Sequence, residues 1–135
     1  MSTRLLVPAA LGDVVDRLTI LGIKGARLSS PAARENVARE RDALVAAWAA
    51  AGLPEYTSLA ETEPLAEVNR ALWDVEDELR ALEAAADFGP TFVARARSVY
   101  LLNDRRAALK RAVNLHLGSD LVEEKQHPAY PHGGP

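Results

Sequence analysis

The chain has 135 residues, enough for one domain with a real core and too few for two. Hydrophobic residues make up 48%, with Ala, Leu, Glu and Arg prominent, and a net charge of −3 gives no global attraction to nucleic acid or an anionic membrane. The absence of cysteine excludes disulfides, thiol catalysis and thiolate metal sites.

The opening MSTRLLVPAALGD has a short apolar run that ends in charge at Asp13, and no later run approaches the roughly 18 apolar residues of a membrane span. A cytoplasmic protein with no signal peptide and no membrane partner is therefore expected. Arg4 to Val7, standing before Pro8, favours extended backbone and reads as a short strand or an arm laid across the domain. One such segment makes no sheet, so the fold class is all-α.

A first helix is predicted from about Ala10 to Leu28, with Leu11, Val14, Val15, Leu18, Leu21 and Leu28 on one face. Gly22 and Gly25 share that face, where they cost roughly 1 kcal/mol each relative to alanine but would let another helix approach closely. Arg17 and Lys24 lie along one flank. They are either a solvated edge, or one of them turns towards the polar patch of the last helix. Ile20 and Ile23 point away from the main stripe and suggest a homodimer contact.

Ser30 and Pro31 mark the start of a second helix that runs to Ala51 and stops at Gly52, with Val37, Leu44, Val45 and Trp48 inward. Residues 53–63 read as a loop. The third helix spans about Pro64 to Ala86, with a stripe of Leu65, Val68, Leu72, Val75, Leu79 and Leu82 flanked by Asn69, Glu76, Arg80 and Glu83. A fourth runs from Pro90 to Leu117, with Gly118 as its stop, and the short joint Asp87-Phe88-Gly89 folds it back along the third. One further helical turn is expected over 119–125. Residues 127–135, rich in proline and glycine, should be disordered. Their His127 and His132 lack a rigid carboxylate partner, so no metal is expected. Residues 1–126 thus form one helical domain, an antiparallel four-helix bundle with the fourth helix central.

That fourth helix carries the sharpest functional clue. Phe92, Ala96, Val99, Leu102, Leu109, Val113 and Leu117 form its apolar arc, yet Asn103, Arg106, Lys110 and Asn114 project from the middle of the same arc. An unpaired buried cation is costly, so these residues need carboxylates, a ligand or water beside them. Glu76 is the natural partner on the third helix, with Arg80 near it. Two readings stand side by side: a structural salt-bridge network that fixes helix register, or a cation-rich site for a phosphate, carboxylate or phosphosugar. No phosphate loop, Ser-His-Asp set or HExxH motif is present, and no cofactor is expected. A Glu76/Asp77 pair could hold Mg²⁺ only if a second helix supplied further oxygens in the right order, and that order is absent. The arginines of the fourth helix point to different sides without interleaved aromatics, so no nucleic-acid partner is expected.

GDVVDRLTILGIKGARL at 12–28, LWDVEDELRALE at 72–83 and DFGPTFVARARSVYLLNDRRAALKRAVNLHLGSDLVEEK at 87–125 resemble a bacterial family of small helical domains of unknown function, above all in the signature SVYxxNDRRAxxKRxxN. The resemblance implies domains that stand alone or are joined to tetratricopeptide repeats or sugar-transfer modules, often in cell-surface polysaccharide pathways. It also implies a polar signature on Asp16, Arg17, Lys24, Trp73, Glu76, Asp77, Arg80 and Tyr100, then on Asn103 to Arg106, Lys110, Asn114 and Glu123 to Lys125. Gly22 and Gly25 depart from that pattern. The functional expectation is a module that binds a small anionic ligand or a partner protein through Arg17, Lys24, Glu76, Arg80, Asn103, Arg106, Lys110 and Asn114. The alternative is a small helical enzyme in which Glu76 or Asp77 acts as acid or base on an anionic substrate.

Overall fold

The computed structural model describes residues 2–130, which form four α-helices and, among those residues, no strand. The helices are α1 (Leu11–Arg27), α2 (Pro31–Ala50), α3 (Thr62–Ala84) and α4 (Pro90–Leu117), with a single 3₁₀ turn at Tyr56–Ser58. None of the helices is long and apolar enough to cross a membrane. Residues 2–10 carry no regular structure, and Leu5, Leu6 and Val7 stand exposed along them.

Local chemistry sets most of the boundaries. Ser30 Oγ accepts from the Ala33 amide at 3.3 Å and Pro31 occupies the first helical position, which together begin α2. Gly52 and Gly118 take positive φ, +73° and +65°, just beyond the ends of α2 and α4. The third helix begins earlier than expected, at Thr62, because Pro64 falls in the first turn, where a missing N–H costs nothing. It ends earlier too, since Ala86 adopts φ +52° and lets the Asp87 amide bond back to the Leu82 carbonyl at 2.9 Å.

The helix at the centre is α1 rather than α4. It packs against α2, α3 and α4, and buries Val15, Leu18 and Leu21 almost completely. The heart of the core joins Val15 to Trp48, Leu59, Leu65 and Val113, and the Trp48 indole donates to the Pro54 carbonyl at 2.6 Å. Length explains the difference. The 17 residues of α1 span about 26 Å and the 28 of α4 about 42 Å. The outer part of α4 therefore has only α3 to lie on. No residue of α3 after Asn69, and none of α4 before Val113, is fully buried, although Leu72, Val75, Leu79, Leu82, Phe92 and Val99 are all half-buried there. Glu78 pairs with Arg95 across this outer half, while Glu61 and His116 meet at 3.0 Å at the other end.

Two expectations for α1 change. Ile23 is buried within the single chain and Ile20 is half-buried, so the isoleucines serve intramolecular packing and no longer argue for a dimer. Gly22 and Gly25 face open space: a β-carbon added to either would meet no atom within 4 Å. Close approach happens instead at Gly12. The double substitution Gly22→Ala/Gly25→Ala should then stabilise the fold, by up to about 1 kcal/mol per site, because only the helix-propensity gain remains. A urea melt that shows no rise in midpoint would refute this.

After Gly118 the expected extra helical turn is absent. Ser119 is already committed: its amide bonds to the Asn114 carbonyl at 2.8 Å, and its hydroxyl donates to the Leu121 carbonyl at 2.6 Å. Residues 119–130 run instead as an irregular strap along α4. Tyr130 ends it edge-on to Tyr100 at 5.6 Å between ring centres, its hydroxyl donating to the Asp104 carboxylate. Residues 127–130 have no regular structure, while 131–135, with His132, lie outside the described residues.

Candidate functional site

The polar stripe of α4 finds its partners on α1. Asp13 and Asp16 stand three residues apart on α1, and Arg106 and Lys110 stand four apart on α4, so each pair occupies successive turns of its helix. Arg106 grips the Asp16 carboxylate with two donors, Nε to Oδ1 at 2.8 Å and Nη2 to Oδ2 at 2.5 Å. Asp16 is only 5% exposed. The Asn69 amide group of α3 completes its shell, donating to Asp16 Oδ1 at 2.9 Å and to Thr19 Oγ1 at 2.8 Å. The hydrogen bonds and charge of Asp16 outweigh burial and raise the pKa of the Arg106 guanidinium.

One turn along, Lys110 Nζ lies 3.0 Å from Asp13 Oδ1 and 3.4 Å from Glu123 Oε2. Asp13 Oδ1 is sealed from water and takes no aligned hydrogen bond, so the ammonium beside it is its compensation. Burial pulls the Lys110 pKa down, but Asp13, Asp16 and Glu123 together leave it raised, a fixed cation. Beyond it, buried Asn114 accepts from the Gly12 amide at 2.7 Å, and Ser119 Oγ accepts from the Leu11 amide at 3.0 Å. Ala10 offers α1 no side-chain cap, so the end of α4 caps the start of α1.

The strap adds a second layer. Glu123 reaches Lys110 and Lys125, and Glu124 reaches Arg111 at 3.0 Å. Lys125, then Lys110, hold the Glu123 carboxyl below its ordinary pKa against the opposing effect of burial. Between the strap and α4 lies a half-open recess of about 220 Å³, lined by Ala107, Ala108, Lys110, Arg111, Asn114 and residues 123–125. Among the described residues no group of three or more carboxylate or imidazole ligands is arranged to hold a metal.

The profile of one protein family covers nearly the whole chain, residues 5–132. The chain belongs to DUF6165, a family of unknown function. No curated protein and no solved structure is detectably similar to it. Inference about this DUF6165 protein therefore rests on its own geometry.

That geometry divides the residues singled out from the sequence. Arg106, Lys110 and Asn114 come together on the α1–α4 seam. Glu76 does not face them; it pairs with Arg80 one turn away on α3, at 3.5 Å. Arg17 and Asn103 are exposed and Lys24 is half-buried, and none of the three makes an ion pair or side-chain hydrogen bond among the described residues. The carboxylates that answer the two cations, Asp13 and Asp16, went unassigned in that role. Their signal was a matched spacing, acids at i and i+3 on one helix against bases at i and i+4 on another. Gly12 carried no signal at all.

Proposed function

We propose that this DUF6165 domain is a binding module, built as an antiparallel four-helix bundle, that holds an anionic group in the recess between α4 and the strap. The observation that carries the reading is the origin of the charges there. Lys110 and Arg111 project from a long helix, and Asp13 holds Lys110 from behind, with the charge of Asp16 adding to the attraction. The opposing carboxylates at the front, Glu123 and Glu124, sit on an exposed segment without regular structure. A rigid cation faced by a loosely held anion can exchange that anion for a phosphate or carboxylate of a ligand. A phosphosugar fits both this chemistry and the polysaccharide setting implied by the family resemblance. Arg106, Asp16 and Asn69 form the frame behind the site and do not touch the ligand. Nothing in the arrangement favours the enzyme reading, since neither Glu76 nor Asp77 lines the recess.

Thermal melts with phosphate, sulfate and a panel of sugar phosphates test the proposal. An anion at a hundred times its Kd should stabilise the wild type by about 2.7 kcal/mol. Lys110→Met and Arg111→Met, each compared with its own ligand-free baseline, should lose that increment. Glu123→Gln/Glu124→Gln should bind the same anion several-fold more tightly, because the competing carboxylates are gone. A wild type stabilised by none of these anions would overturn the reading.

A further inference from the structure

We propose that the outer half of the α3–α4 pair is the interface through which two copies of this chain associate. The inference is independent of the anion site. It begins from the half-buried seam described above: α1 ends at Arg27, which pairs with Asp74 of α3, and beyond that level no residue of either helix is fully buried. Leu79 and Leu82 of α3 stay partly open there, and Phe88 and Val93 are more than half and half exposed, at 56% and 50%. Two helices alone cannot enclose an apolar seam; a third layer must supply the missing side.

The total surface is consistent with a missing layer. A compact monomer of this mass exposes roughly 6,900 Å² by the usual scaling. The chain exposes 9111 Å². The exposed N-terminal arm, the strap and the partly open helices α3 and α4 all contribute to the surplus. A standard interface needs only about 800 Å² from each partner.

Charge identifies the occupant as a second copy. Beyond Asp74, α3 carries four carboxylates, at 76, 77, 78 and 83, against Arg80, whereas the stretch of α4 before residue 100 carries Arg95 and Arg97 and no acid. The two helices already use this complementarity within the chain at Glu78 and Arg95. A two-fold axis that lays α3 of one copy on α4 of the other repeats it twice, leaving acid facing base on both sides of an apolar centre. An unrelated partner would need both an acidic and a basic ridge at the same spacing, and a second copy has them by construction.

Light scattering of the full chain at tens of micromolar should give twice the 14.6 kDa chain mass. Val93→Glu places a charge at the centre of the proposed contact on a side chain that is already exposed, so its helical circular dichroism should be unchanged. Its dimer should dissociate at least tenfold more readily, as should that of Phe88→Ser. Arg34→Glu on the exposed side of α2 should behave as wild type. A wild type of single-chain mass overturns the proposal. So does a dimer that both hairpin variants leave intact, which would move the contact to another face such as the exposed Leu5–Val7 arm.

Discussion

Replacing Arg106 with leucine should cost this fold about 3–5 kcal/mol, the usual effect of removing one member of a buried ion pair. The substitution leaves the Asp16 carboxylate in a site that is 5% exposed, with the Asn69 amide as its one remaining side-chain donor among the described residues. A surface pair would behave otherwise, since exposed salt bridges contribute about 0–1 kcal/mol. Chemical denaturation therefore discriminates clearly. A loss under about 1 kcal/mol would mean that water reaches Asp16 and that the pair does not organise the seam. The double variant Asp16→Val/Arg106→Met should recover most of the loss, because two apolar side chains close to the originals in size avoid both desolvation costs. Thr19 and Asn69 would still satisfy each other. Such recovery would assign the pair to helix register and orientation rather than to net stability.

Gly12→Ala should be nearly as damaging, at roughly 3 kcal/mol, from overpacking together with a lost hydrogen bond. A β-carbon at position 12 would lie 2.2 Å from the Lys110 carbonyl oxygen and 3.1 Å from Asn114 Oδ1. The nearer atom is backbone and cannot swing aside. Relief requires α1 to move off α4, which breaks the Gly12 amide bond to Asn114 and loosens Asp13 against Lys110. The same glycine-to-alanine change ten residues along the helix, at Gly22, should do the opposite. Urea midpoints of the two variants, measured side by side, test the close approach directly: a neutral Gly12→Ala would rule it out.

These contrasts show where sequence reasoning has purchase. The ends of α4 and the start of α2 were legible because proline and glycine impose backbone preferences that need no tertiary context. The ends of α3 were shifted by two residues, at one end because proline is tolerated inside a first turn and at the other because Ala86 takes a left-handed conformation usually left to glycine. The polar residues Arg106, Lys110 and Asn114 were legible as intruders in an apolar arc. Their partners were not, since Glu76 on α3 and Asp13 and Asp16 on α1 are equally plausible by charge. Only the packing order decides between them, and periodicity does not encode which helix lies in the middle. The two glycines of α1 drew attention to the wrong positions, because an open glycine and a crowded one look the same in a sequence.

The cap at the start of α1 has a consequence for the order in which the protein is made. Leu11 and Gly12 hand their amide protons to Ser119 and Asn114, partners 108 and 102 residues later in the chain. At about 5–20 residues per second, a ribosome needs roughly 5–20 s to go from one to the other. Throughout that interval the first helix has no lid on its N-terminus, no cation beside Asp13 and no arginine for Asp16. The first of the four helices to be synthesised is thus the last to be completed, and emergence of residues 106–119, rather than of the first half, starts the clock on folding.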